Sequence, residues 1–227
     1  MSAIRLAVLD MAGTTVRDDG LVERAFHRAM IELGVAPDSP RMHQALAEVR
    51  RTMGQSKIEV FGRLLGDRDA AEGANRRFEV AMEDEIGAGA VAPVDGAEEA
   101  IHALATAGVR TCLTTGFSPR TRDRLLEELG WAKLVDLALS PADAGRGRPY
   151  PDMILTALLR LRIDDVREVA VAGDTASDLL AGTRAGAGMV AGVLTGAHDR
   201  EQLAAAPHTH LLASVAELPG LLAGPGR

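Results

Sequence analysis

Short apolar runs alternate along most of the chain with longer amphipathic stretches. The runs at residues 5–10, 110–115, 134–139, 169–173, 190–194 and 210–213 have the length of buried strands. Between them, residues 97–107, 119–129, 151–161 and 175–185 carry apolar side chains at helical spacing. Strands alternating with helices predict βαβ units, and hence a parallel sheet covered by helices on both faces. Ligands of such sheets bind beyond the carboxyl ends of the strands. The side chains that follow each apolar run are therefore where chemistry is expected.

Residues 17–92 break this alternation and contain no strand-like run. In "LVERAFHRAMIELG", Val22, Phe26, Ala29 and Leu33 recur at helical spacing, and "HQALAEVRRTMG", "KIEVFGRLLG" and "NRRFEVAMEDEIG" continue as helices. A Gly/Ala/Pro linker between Gly87 and Gly96 then restores the alternation. The pattern predicts an α/β core made of residues 1–16 and 93–227, with a helical domain, 17–92, inserted after the first strand.

Composition narrows the function classes. The formal net charge is −7 and no run of Lys and Arg stands out, which argues against nucleic acid as a partner. The N-terminal apolar run is interrupted by Asp10, so neither a signal peptide nor a membrane span is expected there. A single cysteine, Cys112, offers no internal disulfide, which fits a reducing, cytoplasmic setting. Cys112 reads as a strand-core residue and Trp131 as packing. His208 and His210 read as solvent-facing side chains at a strand start.

The strand ends carry a consistent chemistry. Asp10 closes the first run. Thr115 closes the second in "LTTGF", Arg148 follows the third in "GRPYP", and Asp174 and Asp178 follow the fourth in "VAGDTASD". Each alone fits a turn or a helix cap. Together they place several carboxylates in one crevice with a hydroxyl and a guanidinium suited to phosphate. Converging carboxylates repel unless a cation holds them, and hard oxygen donors beside phosphate suit Mg²⁺.

This set resembles the haloacid dehalogenase (HAD) superfamily, in "DMAGTT", "LTTG", "RGRPYP" and "GDTASD", and the helical insertion resembles its cap. The resemblance implies a Rossmann-like α/β fold and Mg²⁺-dependent phosphoryl transfer. Asp10 would be the nucleophile, forming an aspartyl-phosphate that water hydrolyses. Mg²⁺ would be held by Asp10, the carbonyl of Ala12 and Asp174, with Asp178 as a further ligand or behind it. Ala12, Gly13, Thr115, Gly116 and Arg148 would surround the phosphoryl group, offsetting its charge.

Most HAD phosphatases carry an aspartate where this chain has Ala12, to protonate the departing alkoxide, a contribution of ~10²–10⁴-fold. "DMAGTTV" resembles instead the phosphonatase branch, which splits the C–P bond of phosphonoacetaldehyde. There the leaving group is carbon, and a cap lysine forms an imine that accepts the electrons. "TMGQSKIEV" matches that cap motif and puts Met53 and Lys57 at the substrate. Of 25 basic residues only Lys57 and Lys133 are lysines, and arginine cannot form an imine. The chain departs from that branch at Val60, where a histidine is usual, at Phe117, where a tyrosine is usual, and around Gly20, where a cysteine is usual.

Three functions follow as expectations. The first is C–P hydrolysis of phosphonoacetaldehyde or a related phosphonate through Lys57. The second is hydrolysis of a small phosphomonoester, with a leaving group that is already good or with Asp18 or Asp19 as a stand-in acid, and Lys57 as a charge clamp. The third is non-catalytic phosphate binding. A homodimer through the cap is what the resemblance implies.

Overall fold

The computed structural model describes residues 3–89 and 91–223. Six strands, β1 (Leu6–Asp10), β2 (Arg110–Thr114), β3 (Leu137–Leu139), β4 (Val169–Gly173), β5 (Met189–Val193) and β6 (His210–Leu212), form one sheet in the order β3-β2-β1-β4-β5-β6. All five pairings are parallel. The helices in chain order are α1 (Leu21–Glu32), α2 (Pro40–Arg51), α3 (Lys57–Leu65), α4 (Arg68–Gly87), α5 (Ala97–Thr106), α6 (Pro119–Glu128), α7 (Pro141–Ala144), α8 (Asp152–Arg160), α9 (Ala176–Ala185), α10 (Arg200–Ala204) and α11 (Leu218–Ala223). This is the parallel α/β sheet that the alternation predicts and the Rossmann-like fold that the resemblance implies.

Strand β1 shows why its sequence is continuously apolar. Ala7 and Leu9 pack into one hydrophobic cluster with Ile101 and Leu104 of α5. Leu6 and Val8 face the other side, against Met153, Ile154 and Ala157 of α8. A strand buried on both faces has no polar side to display. Asp10, its last residue, is the first carboxylate at the carboxyl edge.

Strand boundaries differ from expectation mainly at β3. Leu134 ends a 3-10 turn over Trp131–Lys133, and the Asp136 carboxylate accepts the Thr111 amide at 2.7 Å. That side-chain bond ties the segment to β2 before regular pairing starts, so an apolar run beginning at 134 is not all strand. In the insertion, α4 starts at Arg68, well ahead of Asn75. Asp67 caps it by accepting the Ala70 amide at 2.7 Å, although "RDAAEGA" shows little apolar periodicity.

Between β1 and α5 the described residues contain only helices and turns. Phe26, Phe61 and Phe78 link α1, α3 and α4, with the Phe26 and Phe61 rings stacked at 4.7 Å. The two connections run side by side. Arg17 donates its amide to Ala92 at 2.9 Å, and Val94 donates its amide to Thr15 at 2.9 Å. The helices also bear on the sheet's carboxyl edge through Phe78 against Phe117 (6.4 Å) and through Glu83 with Arg120 (2.6 Å). Among the described residues no helix is long and apolar enough to cross a membrane.

Candidate active site

The chain after β1 makes a tight turn in which the amides of Thr14, Thr15 and Val16 all converge on the Met11 carbonyl. Gly13 adopts φ 90°, and a Cβ there would stand 2.5 Å from Asp174 Oδ2. Glycine thus lets the turn approach the carboxylate that follows β4. Thr14 donates its hydroxyl to Asp174 Oδ1 at 3.2 Å, and the Ala197 amide donates to Oδ2 at 2.7 Å. The loop after β5 closes from the other side, where a Cβ on Gly196 would meet Asp174 Oδ2 at 2.0 Å.

Helix α9 presents Asp178 to the same crevice. Thr175 caps the helix, and its amide returns a hydrogen bond to Asp178 Oδ2 at 3.1 Å, a reciprocal capping box. The other Asp178 oxygen accepts from Arg148 Nη1, which also donates to Asp10. Arg148 therefore bridges two carboxylates that would otherwise repel. All four of Asp10, Arg148, Asp174 and Asp178 are buried.

The electrostatics are unbalanced by this bridge alone. Burial lifts the Asp10 carboxyl to about 6, against the opposing pull of Arg148. Asp174 is held well above the usual carboxylate range by burial and by the Asp10 and Asp178 charges. Burial works to lower Arg148, but the two carboxylates outweigh it and raise it. Three buried carboxylates thus face one buried guanidinium, and among the described residues Asp174 has no ion-pair partner. A hard divalent cation fits this donor set in charge and ligand type. Among the described residues no group of three or more acid, His or Cys side chains is already gathered around one cation position. Arg148 stands between Asp10 and Asp178, and Asp178 is tied to Thr175. Asp10, Asp174 and the Ala12 carbonyl, which accepts no backbone hydrogen bond among the described residues, are the donors left for a metal.

Donors for an oxyanion stand next to these acceptors. Arg148 Nε and Nη2 are buried and have no partner. Unmet buried donors cost ~1–3 kcal/mol each, so an acceptor there is strongly favoured. Thr115, just past β2, gives its amide to Leu139 and accepts the Phe117 amide on its hydroxyl at 3.2 Å, leaving its hydroxyl proton to donate. The amides of Ala12 and Gly116 have no backbone partner among the described residues.

Lys57 opens α3 above these groups and is 4% exposed. Its Nζ donates one long hydrogen bond, 3.4 Å, to the Gln55 carbonyl. Burial lowers its pKa to about 8, with Asp18 opposing and Arg148 adding to the shift. Met53 is buried in the main apolar cluster, two residues before the contact between Gln55 and Gly116. Val60 is fully buried in the same cluster, as part of the packing of α3. Asp18 is tied up at the start of α1, where its Oδ1 accepts the Val22 amide at 3.0 Å. Gly20, at φ 77°, sits in the left-handed conformation that starts the helix.

The structure therefore brings together Asp10, Ala12, Gly13, Thr115, Gly116, Arg148, Asp174 and Asp178 at one edge, with Lys57 over them. It adds roles for two threonines inside the quoted motifs, Thr14 and Thr175, and one segment outside them, the 195–197 loop. The last of these follows an apolar run like the others, so the strand-end rule contains the signal. His208 and His210 are not joined in a site: each ring meets a local oxygen at 2.8 Å. Cys112 lies inside β2, where burial pushes its thiol up.

A family model for haloacid dehalogenase-like hydrolases matches residues 4–186. A probable phosphatase, IndB, of Dickeya dadantii is 27% identical over 95% of this chain and 92% of its own. A phosphonoacetaldehyde hydrolase of Bordetella pertussis is 32% identical over 73% of this chain and 67% of its own. A solved phosphonoacetaldehyde hydrolase-like protein of Oleispira antarctica superposes with TM-score 0.83, covering 98% of this chain and 92% of that one at 22% identity, a likeness of fold.

Proposed function

The chain belongs to the haloacid dehalogenase-like hydrolases, and from that membership we propose that it cleaves the C–P bond of phosphonoacetaldehyde or a related 2-oxoalkyl phosphonate. The observation that carries this is a buried amine, Lys57, with its pKa brought down to about 8, standing over a nucleophile site whose acid position holds Ala12. A lysine lowered this far is partly neutral near pH 7–8 and can attack a carbonyl. A cation clamp would need no such depression.

In this proposal Lys57 Nζ condenses with the aldehyde, losing water, and the imine is protonated. Asp10 attacks phosphorus in line with the C–P bond. As the P–O bond forms, the C–P electron pair moves into the imine to give an enamine. Protonation at carbon and hydrolysis of the imine release the carbonyl product. Water then cleaves the aspartyl-phosphate. Arg148, through Nε and Nη2, and the Gly116 amide hold the phosphoryl oxygens, while Thr115 donates its hydroxyl proton. Mg²⁺, when bound by Asp10, the Ala12 carbonyl and Asp174, would neutralise the charge that gathers on the phosphoryl group. The helical insertion, as a cap, would exclude water from the imine.

The second reading is a phosphomonoesterase, favoured by the probable phosphatase that matches along nearly the whole chain. Phosphate release from phosphonoacetaldehyde and from small phosphomonoesters, for the natural protein and Lys57→Arg, separates the two. C–P hydrolysis predicts turnover of the phosphonate, its loss in Lys57→Arg, and covalent trapping of substrate carbon on Lys57 by borohydride. Ester turnover that survives Lys57→Arg would establish the phosphatase instead.

A further inference from the structure

Beside Lys57 a cleft of about 300 Å³ opens between the helical insertion and the core. Its lining includes Lys57 and Gly116, which border the site at Asp10, so it adjoins the place where the leaving portion of a substrate attached there would emerge. That volume lies within the range of sites for whole small molecules, and a two-carbon aldehyde fills a minor part of it. Phe78 and Phe117 contribute aromatic surface to its lining, their rings packed on each other at 6.4 Å between centres. Glu59 and Glu79 line the cleft as well, and Lys57 is its one basic lining residue. Asn75 donates from Nδ2 to Glu79 Oε1 at 2.9 Å, which orients that carboxylate and leaves Oε2 without a side-chain partner among the described residues.

Two carboxylates beside an aromatic pair, with a single amine in the lining, are complementary to a cation. They repel a second carboxylate or phosphate. We propose that the leaving portion of the substrate is a short carbon chain ending in an ammonium group, seated in this cleft beside the Phe78–Phe117 pair, with Glu79 as the residue that selects it. This rests on the phosphoryl group lying at Asp10; within the C–P reading it selects an amino-substituted 2-oxoalkyl phosphonate over phosphonoacetaldehyde itself, and within the ester reading an aminoalkyl phosphate.

Calorimetric titration of the full chain with Mg²⁺ and inert probes tests it. The probes are methylphosphonate, 3-aminopropylphosphonate and 3-phosphonopropionate, with orthovanadate reporting on the phosphoryl site. The amino probe is expected to bind at least about fivefold more tightly than the carboxylate probe, as a partly exposed charge pair allows. Glu79→Gln should bring that ratio towards one, and Glu79→Lys should invert it. Equal binding of the two probes by the natural protein, or variants that weaken every probe in proportion, would overturn the assignment of Glu79. Absence of binding by both methylphosphonate and vanadate would overturn the phosphoryl-site reading itself, and this inference with it.

Discussion

Gly116 and Gln55 touch backbone to backbone: a Cβ on Gly116 would stand 2.8 Å from the Gln55 carbonyl oxygen and 3.0 Å from that of Gly54. A second close approach lies at Gly54, where a Cβ would stand 2.8 Å from the Thr175 hydroxyl oxygen. The segment just ahead of Lys57 is thus in close contact with the core at two adjacent residues, Gly54 and Gln55. Gly116→Ala should push it away. Expected are faster hydrogen exchange at residues 54–57, a drop of more than about tenfold in kcat/KM, and a stability loss of about 1–3 kcal/mol from overpacking. Unchanged exchange in that segment would mean the contact does not hold the two parts closed.

Lys57 is costly where it sits. Its pKa in the folded protein, about 8, lies below the ordinary 10.5. The unfolded chain therefore binds more protons across that interval, and stability rises with pH from about 8 towards 10. Below about 8 the buried charge costs on the order of 3 kcal/mol. Lys57→Met should lose C–P cleavage yet be more stable than the natural protein at pH 7, with the gap closing by pH 10. Urea unfolding at the two pH values measures it, and a less stable variant at pH 7 would contradict the buried-amine account.

Gly196 is a sensitive point for metal. A side chain there collides with Asp174 Oδ2 at 2.0 Å, so Gly196→Ala must turn the carboxylate. Mg²⁺ affinity by calorimetry should fall roughly 10–100-fold, the usual consequence of disturbing a ligand's support. Unaltered affinity with a native circular dichroism spectrum would remove Asp174 from the proposed ligands.

Asp10→Asn tests the nucleophile. The amide cannot form an acyl-phosphate, so turnover should fall by on the order of 10⁴-fold or more. Arg148 keeps Asp178 as a partner, and the melting temperature should stay within a few degrees. Residual activity near that of the natural protein would place the attacking group elsewhere.

How legible the site was in the sequence depends on how local each part is. Asp10, Thr115 and Asp174 could be picked out because a buried strand must be apolar along its length, and the polar residue at its end marks the ligand edge, while Arg148 lies further on, in "GRPYP". Asp178 stood out through its spacing from Asp174, and Lys57 through its chemistry in an arginine-rich chain. The helix α4 was legible only from Asn75 on, because the cap at Asp67, rather than any apolar repeat, starts it.

The sequence by itself determined the alternating architecture, the strand-end residues and the interruption by helices, since these follow from periodicity and local chemistry. The tertiary structure decided what no single segment contains. It put Arg148 between Asp10 and Asp178, 138 and 30 residues away along the chain, and left two of its nitrogens unpartnered. It buried Lys57 far enough to lower its pKa, and it set Glu79 in the same cleft. Burial, charge balance and cleft shape are sums over residues remote in sequence, so they exist only once the chain has closed on itself.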